Sequence, residues 1–339
     1  MLHIANTSFE LELAEEQIPD ISVLIQSHPI FLQLQFLPLL YARPEDGMAV
    51  THTPSPAFTT PRWHLLEETQ LPYDRVESWG ASRAIKVWAD KRGLSYAMPP
   101  WDVVKLVNSK AFSFVQASQL PGATLVHSWE ELQQWIHRTK GPRVLKSCFG
   151  LSGKGHLFLP TDPERLRKFA EKEFAVGRPL VAEPWVQRKL DFSTQWIIHP
   201  DQRVEEIGST RLISNERGQY FANHVGDVFG DDLVHLHRHR EIVFPVLQKM
   251  GALGYFGNVG IDAMVWGNDH LHPIVEINAR KTMGWIALEL LKHRFPKQSI
   301  ALSYVTESTE DSLLPSAVLN KDGSLRSLPR KLVVSVLAN

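Results

Sequence analysis

Residues 257–284, GNVGIDAMVWGNDHLHPIVEINARKTMG, constrain this chain more than any other stretch. An apolar, β-rich run at 259–266 carries Asp262. A polar Gly-Asn-Asp-His turn follows, and a second apolar run at 273–278 carries Glu276 and Asn278. Turn residues between two such runs predict a β-hairpin. Side chains alternate along a strand, so Glu276 and Asn278 share one face while Val275 and Ile277 take the other. Pairing in register brings Asp262 to the first face. Two carboxylates and an amide oxygen are hard donors that suit magnesium held together with phosphate oxygens. The plainer alternative is a hairpin with polar residues on its wet face.

With 339 residues the chain can bury a large core and is expected to hold two or three lobes. Hydrophobic content of 43% and charged content of 22% describe an ordinary globular protein. A formal net charge of -1 gives no global pull toward nucleic acid or membrane, and neither is expected as a partner. The lone cysteine, Cys148, excludes an intrachain disulfide framework. Segment 1–16 has no basic stretch followed by an apolar run, so it does not read as a secretory signal. The apolar run 30–41 is interrupted by Gln33, Gln35 and Pro38 and is too short to cross a bilayer. A cytoplasmic location is the default expectation.

The first hundred residues read as one unit: an apolar stretch at 24–40, strand-like or partly helical, a Pro/Thr/Gly-rich loop at 43–62, and an amphipathic helix at 81–92 closed by Gly93. Five tryptophans, at 63, 79, 88, 101 and 129, suggest dense packing or a hydrophobic pocket wall. From Trp101 helices and strands alternate. Residues 103–120 read as a helix, and 123–127 as a strand. Ser128-Trp-Glu-Glu131 forms a capping box ahead of the next helix. Strands at 143–147 and 156–159 flank a glycine-rich loop. A helix opened by Asp162-Pro163 follows, then a strand at 180–186 and extended runs at 192–199 and 204–212. Residues 231–253 read as a helix, 285–293 as another, and 332–337 as a final strand. His235, His237 and His239, flanked by Arg238 and Arg240, read as a solvated basic helix face.

The loop Gly150-Leu-Ser-Gly-Lys-Gly155 can offer backbone N–H groups to phosphate oxygens, with Lys154 adding charge. It is neither a Walker loop nor a dinucleotide fingerprint. A plain hairpin turn explains it equally well when it is taken alone. Lys146, among apolar neighbours in the preceding strand, needs an anionic partner if buried. A phosphate would supply one.

Taken together and in order, these pieces resemble the ATP-grasp ligases over residues 100–290. Asn108-Ser-Lys110 resembles the helix start whose lysine reaches the nucleotide phosphates. Val144-Leu-Lys146 and the loop carrying Gly150, Ser152, Gly153, Lys154 and Gly155 resemble the strand lysine and phosphate flap. Glu183, Pro184, Trp185 and Val186 resemble the hinge that receives adenine, and Asp191 the acidic position that holds the ribose. Asp262, Glu276 and Asn278 resemble the magnesium set, and Arg280 the arginine of the Glu-Ile-Asn-Pro-Arg form, with Ala279 in place of proline. Gly260 stands where D-alanine–D-alanine ligases have arginine, which argues against that substrate class.

The resemblance implies an α/β (α+β) ATP-grasp fold. Its two α+β lobes would grip ATP (101–186 and 187–300), after a smaller N-terminal α/β lobe (1–100) and before a partly stranded tail (301–339). It implies a carboxylate–amine ligase using ATP and two Mg²⁺ ions, with Mn²⁺ as a substitute. A substrate carboxylate would take the γ-phosphoryl group to give an acylphosphate and ADP, and an amine would then displace phosphate. Lys110, Lys146 and Arg280 would contribute charge. Arg211 and His224 are candidates for the acceptor pocket, with surface strand positions as the plainer reading. Small-molecule or peptide carboxylates and amines are the expected partners, and a homodimer is possible. Rival readings are a small-molecule kinase that stops at phosphoryl transfer and a catalytically silent ATP-binding regulator.

Overall fold

The computed structural model describes residues 1–55, 62–150, 155–214, 220–306 and 312–337. The chain divides into two compact units: 1–101, 221–228 and 280–339 form one, and 102–220 with 229–279 form the other. The division does not fall at the boundaries 186 and 300 drawn from sequence. Local patterning carries no signal for the long-range pairing that returns the tail to the first unit.

In chain order the first unit opens with β1 (Leu2–Ile4), α1 (Phe9–Ala14), α2 (Ile21–Gln26), α3 (Pro29–Leu34), β2 (Gly47–Val50), β3 (Arg62–Leu65), β4 (Val76–Ser78) and α4 (Arg83–Asp90). The four strands are parallel, in the order β3-β2-β1-β4. The apolar stretch at 24–40 is helical because Asp20 and His28 cap two short helices and Pro29 starts the second. The region read as a loop at 43–62 contains the buried strand β2, whose four-residue apolar run is too short to register as a period. Ser82 caps α4, accepting from Ile85 N–H, and Trp88 is buried on its inner face.

α5 (Trp101–Val107) leads into the second unit. The helix read over 103–120 is broken: Ser109 caps a new short helix, α6 (Lys110–Phe114). Next come β5 (Thr124–Val126), α7 (Trp129–Arg138), β6 (Arg143–Ser147), β7 (His156–Leu159), α8 (Pro163–Phe174) and β8 (Leu180–Pro184). Ser128 Oγ accepts from Glu131 N–H, and Glu131 reaches back one residue past the cap to accept from His127 N–H, a variant of the capping box. The strands form an antiparallel sheet in the order β5-β8-β6-β7, over a core that includes Leu132, Leu145 and Ala182.

Two long strands, β9 (Arg188–Ile198) and β10 (Val204–Ser214), follow. The chain then supplies β11 (Tyr220–Val225), most of it assigned to the first unit, before α9 (Leu233–Ala252), β12 (Gly257–Trp266) and β13 (His270–Asn278) complete the second. There the order is β13-β12-β9-β10, all antiparallel, against a core with Trp196, Leu247 and Ile277. α10 (Met283–Arg294), β14 (Ile300–Val305), the β15 (Ala317–Leu319)–β16 (Leu325–Ser327) hairpin and β17 (Lys331–Val336) belong to the first unit. β14 pairs with both β11 and β17.

The histidines of α9 are not one solvated face. His237 is exposed, but His239 is fully buried, its Nε2 2.7 Å from Thr194 Oγ1 and its Nδ1 2.9 Å from Pro273 O. A carbonyl only accepts, so Nδ1 carries the proton and Nε2 accepts from the threonine. No helix among the described residues is long and apolar enough to cross a membrane.

Candidate active site

The hairpin forms in the register that alternation requires. Asp262 lies directly opposite Glu276, and Gly260 opposite Asn278. Residues opposite each other across a pair share a face, so the two carboxylates stand side by side. Asn278 Nδ2 donates to Asp262 Oδ2 at 3.0 Å, which orients both groups. Gly267 and Asp269 take positive φ in the turn between the strands, the conformation that Gly and Asp tolerate best.

α6 delivers a cation to this pair. Lys110, nearly buried, places Nζ 2.6 Å from Glu276 Oε1. The helix break makes this possible. Asn108 Oδ1 accepts from Ala279 N–H at 2.9 Å, while Ser113 Oγ accepts from Ile277 N–H at 3.1 Å. Lys110 N–H donates to Cys148 O at 3.0 Å, which ties the helix start to the root of the glycine loop. The end of β13 and the start of α6 are therefore clamped together by side chains that the sequence shows only as polar residues near a helix end.

Lys146 sits one residue from the end of β6, with His156 opposite on β7 and Val181 opposite on β8. Glu183 lies two residues along β8 on the same face and pairs with Lys146, both side chains buried. The lysine thus meets a carboxylate as its anionic partner. Arg188 Nη1 contacts Asp191 Oδ1 at 3.1 Å, and its guanidinium lies 4.6 Å from the centre of the Trp185 ring.

These groups share one electrostatic field. Burial pushes the His156 imidazole down to about 3, helped by the positive charges of Lys146 and Lys110 and opposed by Glu276. Burial also takes His272 down to about 4, with Glu183 opposing and Lys146 reinforcing. Burial raises the Asp191 carboxyl, against Arg188 and Lys146. Three cations, Lys110, Lys146 and Arg188, are each matched by a carboxylate, with two neutral imidazoles among them. Such a cluster can lend positive charge to a polyphosphate and oxygen ligands to a cation without creating any charge afresh.

No group of three or more His, Cys, Asp or Glu that could hold a metal occurs among the described residues. Two adjacent carboxylates with an amide fit instead a magnesium ion completed by substrate phosphates and water.

Gly150 and Gly155 form the base of the glycine loop. A Cβ on Gly155 would lie 2.4 Å from Ser147 Oγ, and one on Gly150 would lie 3.0 Å from Gly155 Cα, so a larger residue at either place forces its neighbour to move. Ser152, Gly153 and Lys154 lie outside the described residues. At the hinge, Pro184, Trp185 and Val186 are half-buried, and Trp185 N–H donates to Pro142 O at 2.8 Å. Arg211 stands on β10 opposite Phe192, 3.5 Å from Asp232. His224 is on β11 opposite Ala301. Arg280 begins the last segment of the first unit and pairs with Glu10, Nη2 to Oε1 at 2.5 Å.

The structure therefore brings together Lys110, Lys146, Glu183, Asp191, Asp262, Glu276 and Asn278. Sequence reasoning missed His156, Arg188 and His272. His156 had one legible signal, its place just after the loop in a strand paired with that of Lys146. His272 had another, its place on the strand that carries Glu276.

No family model matches the chain. In sequence it is similar to butirosin acyl-carrier-protein–L-glutamate ligase from Niallia circulans, 28% identical over 171 residues. That match covers 50% of this chain and 39% of the relative's length. In structure it is similar to phosphoribosylamine–glycine ligase from Thermotoga maritima, with a TM-score of 0.61 and 13% identity over 88% of this chain and 89% of that one. A further likeness is to the biotin carboxylase domain of Hydrogenobacter thermophilus 2-oxoglutarate carboxylase, solved with MgADP, ADP and bicarbonate. The TM-score is 0.55 and the identity 13%, over 86% of this chain and 81% of that one. These likenesses show the fold: the chain has the ATP-grasp fold.

Proposed function

We propose that this protein is an ATP-dependent carboxylate–amine ligase that forms an amide or peptide bond and releases ADP and phosphate. The observation that carries this reading is the interlocked pair of ion pairs. Lys110–Glu276 stands beside Asp262 and Asn278, and Lys146–Glu183 stands in the same field. The relative from Niallia circulans is named as a ligase, and the carboxylase domain was solved with MgADP.

Magnesium, held by Asp262, Glu276 and Asn278, supplies charge neutralisation on the transferring phosphoryl group; two ions, replaceable by manganese, are proposed. Lys110 and Lys146 exchange their carboxylate partners for nucleotide phosphates. Glu183, Pro184, Trp185 and Val186 line the adenine side, and Asp191 takes the ribose hydroxyls. Neutral His156 donates a hydrogen bond to a phosphate oxygen without adding net charge. The loop from Gly150 to Gly155, with Ser152, Gly153 and Lys154, keeps water from the acylphosphate. Arg280 contributes charge to the acyl transfer, and Arg211 faces the acceptor. Substrates are a small-molecule or peptide carboxylate and an amine. Use of ATP fits the cytoplasm, and a homodimer is the proposed assembly.

The test is ADP and phosphate release with Mg·ATP against pooled carboxylates and amines, with mass spectrometry of each active pool. A conjugate lighter by one water than its components supports the reading. A phosphorylated product without a conjugate would make the protein a kinase, and tight Mg·ATP binding without turnover would make it a regulator. Glu276→Gln should lose turnover by at least about 100-fold, since a metal-bound carboxylate acts on the transition state. Near-normal turnover in that variant would overturn the site.

A further inference from the structure

β9 brings two further polar side chains to the face of the acidic hairpin. Phe192, Thr194, Trp196 and Ile198 turn toward α9: the first two meet His239, and the last two share a core with Val243 and Leu247. Alternation therefore puts Asp191, Ser193 and Gln195 on the opposite face. That is the face of the carboxylates, because Ser193 lies directly opposite Asp262.

Pairing across β9, β12 and β13 sets these residues in three rows. Asp191, Met264 and His272 form the first, Ser193, Asp262 and Glu276 the second, and Gln195, Gly260 and Asn278 the third. Rows on one face are two residues apart, or about 7 Å along the strand. In the third row Gln195 lies opposite Gly260 on one neighbouring strand and Gly208 on the other, so no side chain flanks it on either. Gly260 thus leaves a gap between two carboxamides, and glycine inside a strand often marks the place where a ligand approaches the backbone.

Ser193 and Gln195 are each only 2% exposed. Gln195 Nε2 donates to Ser193 Oγ at 2.8 Å, so the carboxamide leans back toward the second row. A carboxamide has two N–H donors, and this contact uses one. Burying such a group costs free energy unless it is well hydrogen-bonded, and an apolar residue in this strand would avoid that cost.

We propose that Gln195 is the residue that distinguishes ATP from ADP, by donating a hydrogen bond to the terminal phosphoryl group over Gly260. The assignment rests on the nucleotide site proposed above and not on what the enzyme ligates. With its ribose at Asp191 and its metal-bound phosphates at Asp262 and Glu276, a nucleotide follows the rows in order, and its last phosphoryl group comes to the third. ADP ends before it.

Charge explains the residue type. Lys110, Lys146 and Arg188 each already face a carboxylate. A further buried cation in the third row would need an anion of its own whenever the nucleotide left. A neutral carboxamide supplies a donor and strands no charge in either state.

The test is titration calorimetry of the full chain with Mg·ADP and with the magnesium complex of the non-hydrolysable β,γ-imido analogue of ATP. The parent should bind both. Gln195→Leu should weaken the analogue by roughly 10- to 100-fold, the range of a hydrogen bond to a charged group, and leave Mg·ADP within about twofold. Gln195→Glu keeps the shape but sets a negative charge against the phosphoryl group, so it should weaken the analogue at least as much. Gly260→Ala narrows the gap from the neighbouring strand and should weaken the analogue selectively, to a smaller degree. Retained Mg·ADP binding shows in each variant that the fold and the metal site survive. Where Gln195→Leu does not fold, Gln195→Glu and Gly260→Ala decide. Equal weakening of both nucleotides would make Gln195 a structural residue, and weakening of neither would remove it from the site; either result overturns the inference. A parent that binds neither nucleotide overturns the nucleotide site itself, so the two failures are told apart.

Discussion

Glu183→Gln isolates the physics of the Lys146–Glu183 pair. The side chains are only 5% and 6% exposed, so both charges are removed from water. Taking the negative charge away while keeping the shape leaves the lysine buried and uncompensated. Breaking such a pair costs about 3–5 kcal/mol. The negative charge of Asp191 also reaches Lys146, which puts the expected loss near the low end, about 3 kcal/mol. For a unit of this size each kcal/mol lowers Tm by roughly 2–4 °C, so the variant should melt about 6–12 °C below the parent. The double replacement Lys146→Met with Glu183→Leu removes both charges together. It should recover most of that loss, because an apolar pair of similar volume costs no desolvation. The same double variant should no longer bind Mg·ATP. The assay is thermal unfolding by circular dichroism, with urea unfolding as a second measure. A parent-like Tm for Glu183→Gln, or a double variant no more stable than the single, would refute the reasoning that a stranded charge sets the cost.

Three further outcomes follow from the geometry. Gly155→Ala should destabilise by about 1–3 kcal/mol in urea unfolding, because its Cβ meets Ser147 Oγ at 2.4 Å. Adding Ser147→Ala should recover part of the loss. His239 and His272 are both held near 4, below the usual histidine value of 6.5, chiefly by burial. The unfolded chain binds more protons between those values. Stability is therefore full above about pH 6.5 and falls as pH drops through 4, by up to about 3 kcal/mol per histidine. A urea midpoint that stays flat over that range would contradict it. Asp262→Asn should abolish the extra thermal stabilisation that Mg·ATP gives over ATP alone, while a retained magnesium-dependent shift would remove Asp262 from the metal set.

Particular residues show how far the sequence could be read. Asp262 and Glu276 were legible as one face because alternation and a polar turn leave little choice of register, and a slip by one residue would have buried the carboxylates. Ser128 and Asp162 were legible as helix starts because each side chain accepts a backbone N–H within its own turn. The break at Asn108–Ser109 was harder to read, because its cause lies on β13: Asn108 is held by the backbone of Ala279, 171 residues away. His239 looked exposed among its charged neighbours, and Thr194 with Pro273 makes it a buried, neutral residue.

By itself the sequence determined what short-range geometry dictates: the caps, the alternating strands and the acidic hairpin. Tertiary structure decided which charges meet. Glu183 became the partner of Lys146, Glu276 that of Lys110 and Glu10 that of Arg280, and the tail returned to pair with β14. The physical reason is range. A cap or a pleat is settled within a few residues, whereas an ion pair or a strand neighbour depends on where distant segments are brought by burial of the core.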